Sequence, residues 1–279
     1  MKNIELKNII EEVFKKEKKN KFTFLTGAGI SSDSGIPTYR GSDGIWVKGT
    51  KFHKPEKFGT FEYFYKNPEE VWQYTLFRKR MLENAEPNQS HEIIADIENE
   101  LKDRFQLITQ NVDNLHRRAG NERLFEIHGN YREVKCSGAC REIRPMPAEL
   151  KGKELTEDLT QEEIDALKCP NCGAWMRANI LWFDEYYDEK TNKADSSLRV
   201  AKNTGALFVV GTSGATNLPM RIAETTIQYG GYVVDINLED NSFSDYLSTK
   251  KNKLILRGKS IDFLPEIKHL IKNCVEQRV

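Results

Sequence analysis

Four cysteines in two close pairs carry the clearest chemical signal in the sequence. Cys136 and Cys140 are separated by three residues, and Cys169 and Cys172 by two. Such pairs are typical of tetrahedral zinc sites, in which four protein ligands leave no open position and the metal is structural. The stretch 141–168 between the pairs is mostly charged, so a metal would take the place of a hydrophobic core. Free or disulfide-bonded cysteines are the alternative.

A glycine turn follows the first apolar run of the chain. Residues 22–25 predict a buried strand, and Gly27 and Gly29 come directly after it. A strand that turns on glycines into a helix presents free backbone N–H groups and the positive end of a helix dipole, a combination that binds phosphate. The third glycine of the usual dinucleotide fingerprint is missing, so a plain strand–helix turn is the alternative. The candidate helix caps are Ser31, Ser32 and Asp33.

Polar side chains follow two further predicted strands. Gln110, Asn111 and Asp113 come after the strand predicted at 105–109, and His128 comes after the strand predicted at 124–127. Open α/β sheets bind ligands just beyond the carboxyl ends of their strands. A neutral imidazole near pH 7 is suited to deprotonating a hydroxyl. A lone histidine after a strand is more often structural, which is the competing interpretation for His128.

Strands that alternate with helices position these residues. Further strands are predicted at 206–210, 232–236 and 254–256, each followed by a polar or glycine-bearing turn. The alternation predicts an α/β fold, a doubly wound parallel (Rossmann-like) sheet with a small zinc-binding insert and a helical and loop insert. The predicted domains are a discontinuous Rossmann-like domain (1–40, 86–130 and 178–279), a long loop at 41–60 with a helical module at 61–82 (together 41–85), and a zinc-binding module (131–177).

Composition restricts the partners and the compartment. Lys and Arg together number 42, and so do Asp and Glu, so the net charge of zero argues against direct binding of nucleic acid. No stretch is apolar for 18 residues and the N-terminus lacks a hydrophobic signal core, so we expect no membrane span and no secretion signal. Five cysteines do not suggest a disulfide scaffold, and a cytoplasmic location fits best.

Six blocks occur in the order that one family shows. They are GAGISSDSGIPTYR at 27–40, TQNVDNLH at 109–116, His128-Gly129, the two cysteine pairs, GTS at 211–213 and NLE at 237–239. Together they cover roughly residues 20 to 260 of the chain. The chain therefore resembles the sirtuins of bacterial type, which are NAD-dependent protein-lysine deacylases.

The resemblance implies NAD as co-substrate, structural Zn²⁺ and acylated-lysine proteins or peptides as substrates. The acyl oxygen attacks C1′ of the nicotinamide ribose, nicotinamide leaves, and His128 then acts as general base on a ribose hydroxyl. The products are free lysine, nicotinamide and O-acyl-ADP-ribose. Asn111 and Asp113 join His128 as catalytic residues. The cofactor residues that the resemblance implies are Gly27, Ala28, Gly29, Ile36, Tyr39, Arg40, Gln110, Asn111, Asp113, Gly211, Thr212, Ser213, Asn237, Glu239 and Ser260.

Two departures from the family pattern bear on the substrate. Phe183, Asp184 and Glu185 stand where the family commonly carries Phe-Gly-Glu, the segment on which the substrate peptide docks. An aspartate lacks the backbone freedom of glycine, so docking could differ, unless this is only a solvated acidic loop. Arg78 stands where members that prefer acidic acyl groups carry an arginine, but Thr75 replaces their tyrosine. A solvated helix residue is the alternative for Arg78.

Three functions remain open on the sequence. The leading one is removal of acetyl, and of acidic or longer acyl groups, from lysine. An NAD glycohydrolase or ADP-ribosyltransferase would need the same NAD site without an acyl-lysine tunnel. A sensing module for NAD or ADP-ribose would need no catalytic base, so the presence of His128, Asn111 and Asp113 weighs against it.

Overall fold

The computed structural model describes residues 2–38 and 58–277. Tyr39, Arg40 and most of the long loop predicted at 41–60 therefore lie outside the described residues. The described strands are Lys21–Thr26 (β1), Phe105–Thr109 (β2), Leu124–Glu126 (β3), Gly129–Cys136 (β4), Ile143–Pro145 (β5), Met176–Ile180 (β6), Thr204–Val210 (β7), Tyr232–Asn237 (β8) and Lys253–Arg257 (β9).

Helices connect these strands. The described α-helices are Lys2–Lys15 (α1), Phe61–Lys66 (α2), Pro68–Glu83 (α3), Gln89–Leu101 (α4), Leu115–Arg118 (α5), Gln161–Ala166 (α6), Glu189–Asn192 (α7), Ala194–Asn203 (α8), Asn217–Gln228 (α9), Ser242–Leu247 (α10) and Ser260–Glu276 (α11). Two short 3₁₀ helices, Ala28–Ser34 and Lys102–Arg104, complete the described helical elements.

Six strands form one parallel sheet in the order β3-β2-β1-β7-β8-β9. The strand order reverses between β1 and β7, so the loops after these two strands diverge and leave a crevice between them. The predicted parallel α/β sheet is thus confirmed. The crevice lies at the carboxyl ends of β1, β2 and β7, where the candidate site residues follow.

Both faces of the sheet are covered by helices. Alternate residues of β1 and β7 point to opposite faces, so Phe24 and Phe208 join the core under α1, α4 and α11, whereas Leu25 and Leu207 join the core under α8, α9 and α10. The ring centroids of Phe24 and Phe208 stack 4.8 Å apart. Burial on both faces explains why residues 206–210 of β7 form a continuous apolar run.

Two segments differ in detail from the expectation. The segment 61–82 is helical as predicted, but it consists of two helices that break between Lys66 and Pro68, because proline lacks the N–H that would continue the first helix. The glycine turn leads into a 3₁₀ helix whose N-terminal Gly27 gives no side-chain cap. Ser31, predicted as a candidate cap, is buried and bonds elsewhere.

A second, antiparallel sheet with the order β5-β4-β6 carries the insert. Its apolar residues pack against Phe64 of α2 and against Trp72 and Leu76 of α3 in a single buried cluster. The indole N–H of Trp72 donates to the carbonyl of Met176 at 2.8 Å. The helical insert and the four-cysteine insert therefore share one core.

Candidate functional site at the carboxyl edge of the sheet

The glycine turn contacts the turn that follows β7. Gly27 N–H donates to the carbonyl of Val210 at 3.1 Å, and Gly29 N–H donates to the carbonyl of Gly211 at 2.8 Å. A Cβ atom on Gly27 would lie 2.5 Å from Cβ of Thr212, so glycine is required by close approach. The expectation that these N–H groups are free for phosphate is wrong for Gly27 and Gly29, because both are hydrogen-bonded within the protein.

Asn111, Asp113 and Ser31 form a buried polar cluster beside this turn. The Asn111 side-chain amide donates to the carbonyl of Gly27 at 3.1 Å and to Oγ of Ser31 at 3.0 Å. The Ser31 hydroxyl donates to Oδ2 of Asp113 at 2.7 Å, and Leu115 N–H donates to Oδ1 at 3.0 Å. The cluster fixes an amide and a carboxylate with less than a tenth of either residue exposed.

Opposing effects set the charge of Asp113. Burial raises its pKa above the usual range, while the bonds from Leu115 and Ser31 and the positive charge of Arg78 act in the opposite direction. Arg78 is only 3 % exposed, so the alternative of a solvated helix residue is wrong. Arg78 therefore contributes to the electrostatics of the pocket that contains Asp113.

His128 lies in the two-residue turn between β3 and β4, with Nε2 located 2.7 Å from the hydroxyl oxygen of Tyr187. Burial lowers the pKa of His128 to about 4, although a hydrogen bond with the backbone of Gln110 opposes the shift. The imidazole is therefore neutral at pH 7. A neutral ring with one basic nitrogen is the form that a general base requires.

Five of the predicted cofactor residues lie at or just beyond the carboxyl ends of β7 and β8. The Gln110 side-chain amide donates to Oγ1 of Thr212 at 2.8 Å, which links the loop after β2 to the loop after β7. Asn237 bonds to Asp235, and Glu239 is exposed in the next turn. An open cleft of about 460 Å³ lies beside them; its lining residues are Ser213, Ala215, Asp240, Asn241, Ser242 and Asp245.

The remaining cofactor predictions fall in three places. Ile36 is buried in a small apolar cluster with Leu82, Ala85 and Leu115. Ser260 begins α11, and its hydroxyl pairs with that of Ser90 at 2.8 Å. Ala28 is the first residue of the 3₁₀ helix.

The four cysteines come together at the end of the insert. Their Sγ atoms all lie within 4.8 Å of one another. Cys136 and Cys172 are 3.5 Å apart, and Cys140 lies 3.6 Å from both Cys169 and Cys172. Zn–S bonds of about 2.3 Å in a tetrahedron require S···S separations of about 3.8 Å, whereas a disulfide requires about 2 Å. The donor set fits Zn²⁺, and the disulfide alternative is wrong.

The segment of Phe183, Asp184 and Glu185 is tied down on both sides. Oδ1 and Oδ2 of Asp184 accept from the N–H groups of Phe61 and Glu62 at 2.8 and 3.2 Å, so Asp184 caps α2. Glu185 pairs with the buried Arg177. The alternative of a solvated acidic loop is therefore wrong for these two carboxylates.

Thr75 and Arg78 both lie on the buried face of α3. Thr75 is 7 % exposed, and its hydroxyl donates to the carbonyl of Val71 one turn earlier at 2.7 Å. The one hydrogen that Thr75 could offer to a substrate is thus used inside the helix.

Sequence reasoning missed three contributors to the site. Ser31 was predicted to cap a helix. Tyr187 lies in an acidic segment and His116 in the block at 109–116, and neither was assigned a role of its own. His116 packs against His91 with ring centroids 4.8 Å apart, and its Nε2 lies 3.0 Å from Oγ1 of Thr26. The signal available for Tyr187 was its position two residues after Glu185, in a segment expected to line the site.

The fold and this edge of the sheet define a dinucleotide-binding α/β protein with a four-cysteine zinc insert. The family model for the Sir2 family matches residues 27–217. The chain belongs to the Sir2 family.

Related proteins and structures agree over most of the chain. An NAD-dependent protein deacylase of Leptospira interrogans is 36 % identical over 253 residues, 90 % of this chain and 93 % of that protein. One of Pyrococcus abyssi is 34 % identical over 258 residues, 92 % and 95 % of the two chains. A mutant Sir2 homologue solved with ADP-ribose superposes with a TM-score of 0.79 at 29 % identity, covering 99 % of this chain and 98 % of the other. A Sir2 homologue solved with NAD gives 0.77 at 28 % identity, covering 96 % and 94 %.

Proposed function

We propose that the chain removes acyl groups from protein lysines with NAD as co-substrate. One observation carries the proposal: a neutral His128 lies at the same edge of the sheet as the buried cluster of Asn111, Asp113 and Ser31. The curated relatives share the name NAD-dependent protein deacylase, and solved relatives contain NAD or ADP-ribose. When bound, NAD supplies a ribose C1′ from which nicotinamide can leave.

Different residues of the chain have different roles in the proposed reaction. Asn111 and Asp113 offer an amide and a carboxylate suited to the carboxamide of nicotinamide and to ribose hydroxyls. Gly27 and Gly29 let their turn pack directly against the turn after β7, where a Cβ atom would clash. His128 accepts a proton from a ribose hydroxyl, which its low pKa permits because the ring is unprotonated at pH 7. The four cysteines would hold Zn²⁺ as a structural staple and take no part in the reaction.

Mass spectrometry of NAD consumption with and without an acetylated peptide tests the reaction type. We expect nicotinamide and O-acetyl-ADP-ribose only when the peptide is present. ADP-ribose formed at the same rate without peptide would instead identify a glycohydrolase. A mass increase on a protein acceptor, with no loss of acyl group, would identify an ADP-ribosyltransferase.

The acyl preference is a second part of the proposal. A succinyl or malonyl group adds a carboxylate, whose burial is costly unless it is paired. Arg78 is a buried, always-charged guanidinium, which can form a bidentate pair with such a group. Thr75 is shorter than a tyrosine and its hydroxyl is already bonded to the carbonyl of Val71. Of these two residues, only Arg78 would therefore bind the carboxylate of the acyl group.

A peptide panel tests the acyl preference. We expect wild type to act on acetyl-lysine and also on malonyl- or succinyl-lysine, and Arg78→Met to lose the acidic substrates selectively. Because Arg78 also acts on Asp113, activity is expressed as the ratio of succinyl to acetyl kcat/KM. Arg80→Met is the matched control, since Arg80 is on the same helix but 44 % exposed. An unchanged ratio in Arg78→Met would refute this role.

The finer parts of the proposal are the domain division, the location and the individual cofactor residues. We propose a Rossmann-like domain (1–40, 86–130 and 178–279) that carries a cofactor loop with a helical module (41–85) and a zinc-binding module (131–177), and the described parts of the two modules share one core. We also propose a cytoplasmic location and no direct nucleic-acid partner, and the balanced charge supports the latter. Among the described helices, none is long and apolar enough to span a bilayer. The residue-by-residue cofactor assignments, including Ser213, Glu239 and Ser260, are part of the same proposal.

A further inference from the structure

Tyr187 contacts the nitrogen that the proposed reaction needs. Its hydroxyl oxygen lies 2.7 Å from Nε2 of His128, and the two ring centroids are 5.8 Å apart. Tyr187 lies between β6 and α7, where its ring is half-buried against the core under α8 to α10. The neighbouring Tyr186 is 91 % exposed. Only one of the two adjacent tyrosines is therefore part of the site.

The hydrogen-bond direction follows from the other side of the imidazole. A backbone carbonyl can only accept, so the ring nitrogen that bonds to Gln110 carries the hydrogen. Since Nε2 faces Tyr187, we assign that hydrogen to Nδ1. The neutral ring then has a single in-plane lone pair, on Nε2, and the Tyr187 hydroxyl donates to it.

One lone pair cannot accept two hydrogen bonds along the same direction. A ribose hydroxyl that is to lose its proton to His128 must donate to the same lone pair that Tyr187 occupies. We propose that Tyr187 is a positioning residue that caps Nε2 of His128 in the free enzyme, and that productive cofactor binding replaces the Tyr187 hydroxyl with a ribose hydroxyl. The inference rests on the proposed role of His128 as general base.

Neighbouring polar groups lower the free-energy cost of replacing the Tyr187 hydroxyl with a ribose hydroxyl. The Thr216 hydroxyl is within hydrogen-bonding reach of the Tyr187 hydroxyl, and its single hydrogen can go either to that oxygen or to Oε1 of Gln110, which lies 3.3 Å away. A displaced Tyr187 hydroxyl therefore keeps a polar partner. The net change on binding is one hydrogen bond to Nε2 exchanged for another, so removal of the competing hydroxyl favours the ligand.

Tyr187→Phe isolates the hydroxyl, because phenylalanine keeps the ring and its packing. The probe is ADP-ribose, which has a terminal ribose with the same hydroxyls and is not consumed. Calorimetry is expected to show binding that is tighter by roughly two- to tenfold, the range of one net hydrogen bond. In the deacylation assay, KM for NAD falls with little change in kcat. Tyr186→Phe is the matched control and leaves both values unchanged.

A double-mutant cycle shows whether the effect passes through His128. Tyr187→Phe in a His128→Ala background is expected to leave ADP-ribose affinity unchanged. Nitrogen NMR of labelled histidine adds a direct readout: the Nε2 resonance of His128 shifts in free Tyr187→Phe and coincides with wild type once ADP-ribose is bound.

Three outcomes would contradict the proposal that Tyr187 caps Nε2 of His128 in the free enzyme. A large fall in kcat with unchanged affinity would make Tyr187 a participant in turnover. Unchanged affinity, KM and Nε2 resonance would show that the contact has no consequence. An equal gain in affinity in the His128→Ala background would show that Tyr187 acts without His128. The proposed function fails separately, if His128→Ala retains full deacylation, because the binding and NMR measurements do not depend on turnover.

Discussion

Acid should unfold this protein through a pair of buried histidines next to the site. His91 is fully buried, and burial lowers its pKa to about 4. Burial, together with the charge of His91, also lowers the pKa of His116 well below its usual value. Both rings are neutral in the fold and protonate in the unfolded chain below about pH 6.5. A depressed pKa of a base means that stability is complete above the unfolded pKa and is lost as the pH falls towards the folded one.

The size of the effect follows from the His91 shift. A pKa of 6.5 in the unfolded chain and about 4 in the fold makes the free energy of unfolding about 2 kcal/mol smaller at pH 5 than at pH 8. His116 and His128 add losses of the same sign, since burial also lowers both of their pKa values below 6.5. Asp113 works in the opposite direction, because its raised pKa favours the protonated carboxyl in the fold as the pH falls.

His91→Gln separates His91 from every other acid-sensitive group. The ring nitrogen Nδ1 of His91 accepts from Asn88 N–H at 3.3 Å in a capping box at the start of α4. Glutamine at this third helical position can accept the same bond without titrating. Release of zinc from protonated thiols also weakens the protein in acid, but it is common to both proteins and cancels in the difference between them.

Urea unfolding at pH 8, 7, 6 and 5, followed by tryptophan fluorescence, measures the effect. We expect the loss between pH 8 and pH 5 to be about 2 kcal/mol smaller in His91→Gln than in wild type. His269→Gln is the matched control, since His269 is exposed on α11, and its pH dependence should equal that of wild type. If His91→Gln showed the wild-type dependence, His91 would not be held neutral by burial, and the reasoning would be refuted.

Four further outcomes are expected. His128→Ala should abolish deacylation in a peptide assay while calorimetry still detects NAD binding; full activity would remove His128 from the mechanism. Elemental analysis should find one Zn²⁺ per chain, and Cys169→Ser should lower both zinc content and stability; protein free of zinc but equally stable would contradict the staple. Asp184→Ala should cost about 1 kcal/mol in urea unfolding, because the N–H groups of Phe61 and Glu62 lose their acceptor while the N-cap Thr60 remains, with Asp184→Asn closer to wild type; equal stability would show that these two bonds are dispensable. Gly27→Ala should cost about 1–3 kcal/mol, because its Cβ would lie 2.5 Å from that of Thr212, and a thermal shift near zero would count against this contact.

Local patterns in the sequence determined the scaffold. The apolar runs at 105–109 and 206–210 predicted strands because both faces of a parallel sheet are buried, and β2 has the predicted bounds while β7 begins two residues earlier. The cysteine pairs predicted a metal site because four thiolates at short spacing suffice to define one. The position of His128 after a predicted strand, together with the resemblance, predicted that it lies at the carboxyl edge of the sheet.

Only the tertiary structure decided how charge and hydrogen bonds are distributed there. Arg78 and Asp113 are 35 positions apart in the sequence, and no periodicity indicates that the guanidinium is buried where its charge acts on that carboxylate. Asp184 looked like a lost glycine, yet it caps a helix that begins more than 100 residues earlier. Tyr187 reaches His128 across 59 positions. Burial and hydrogen-bond partners depend on which elements pack together, and local sequence specifies the elements rather than their contacts.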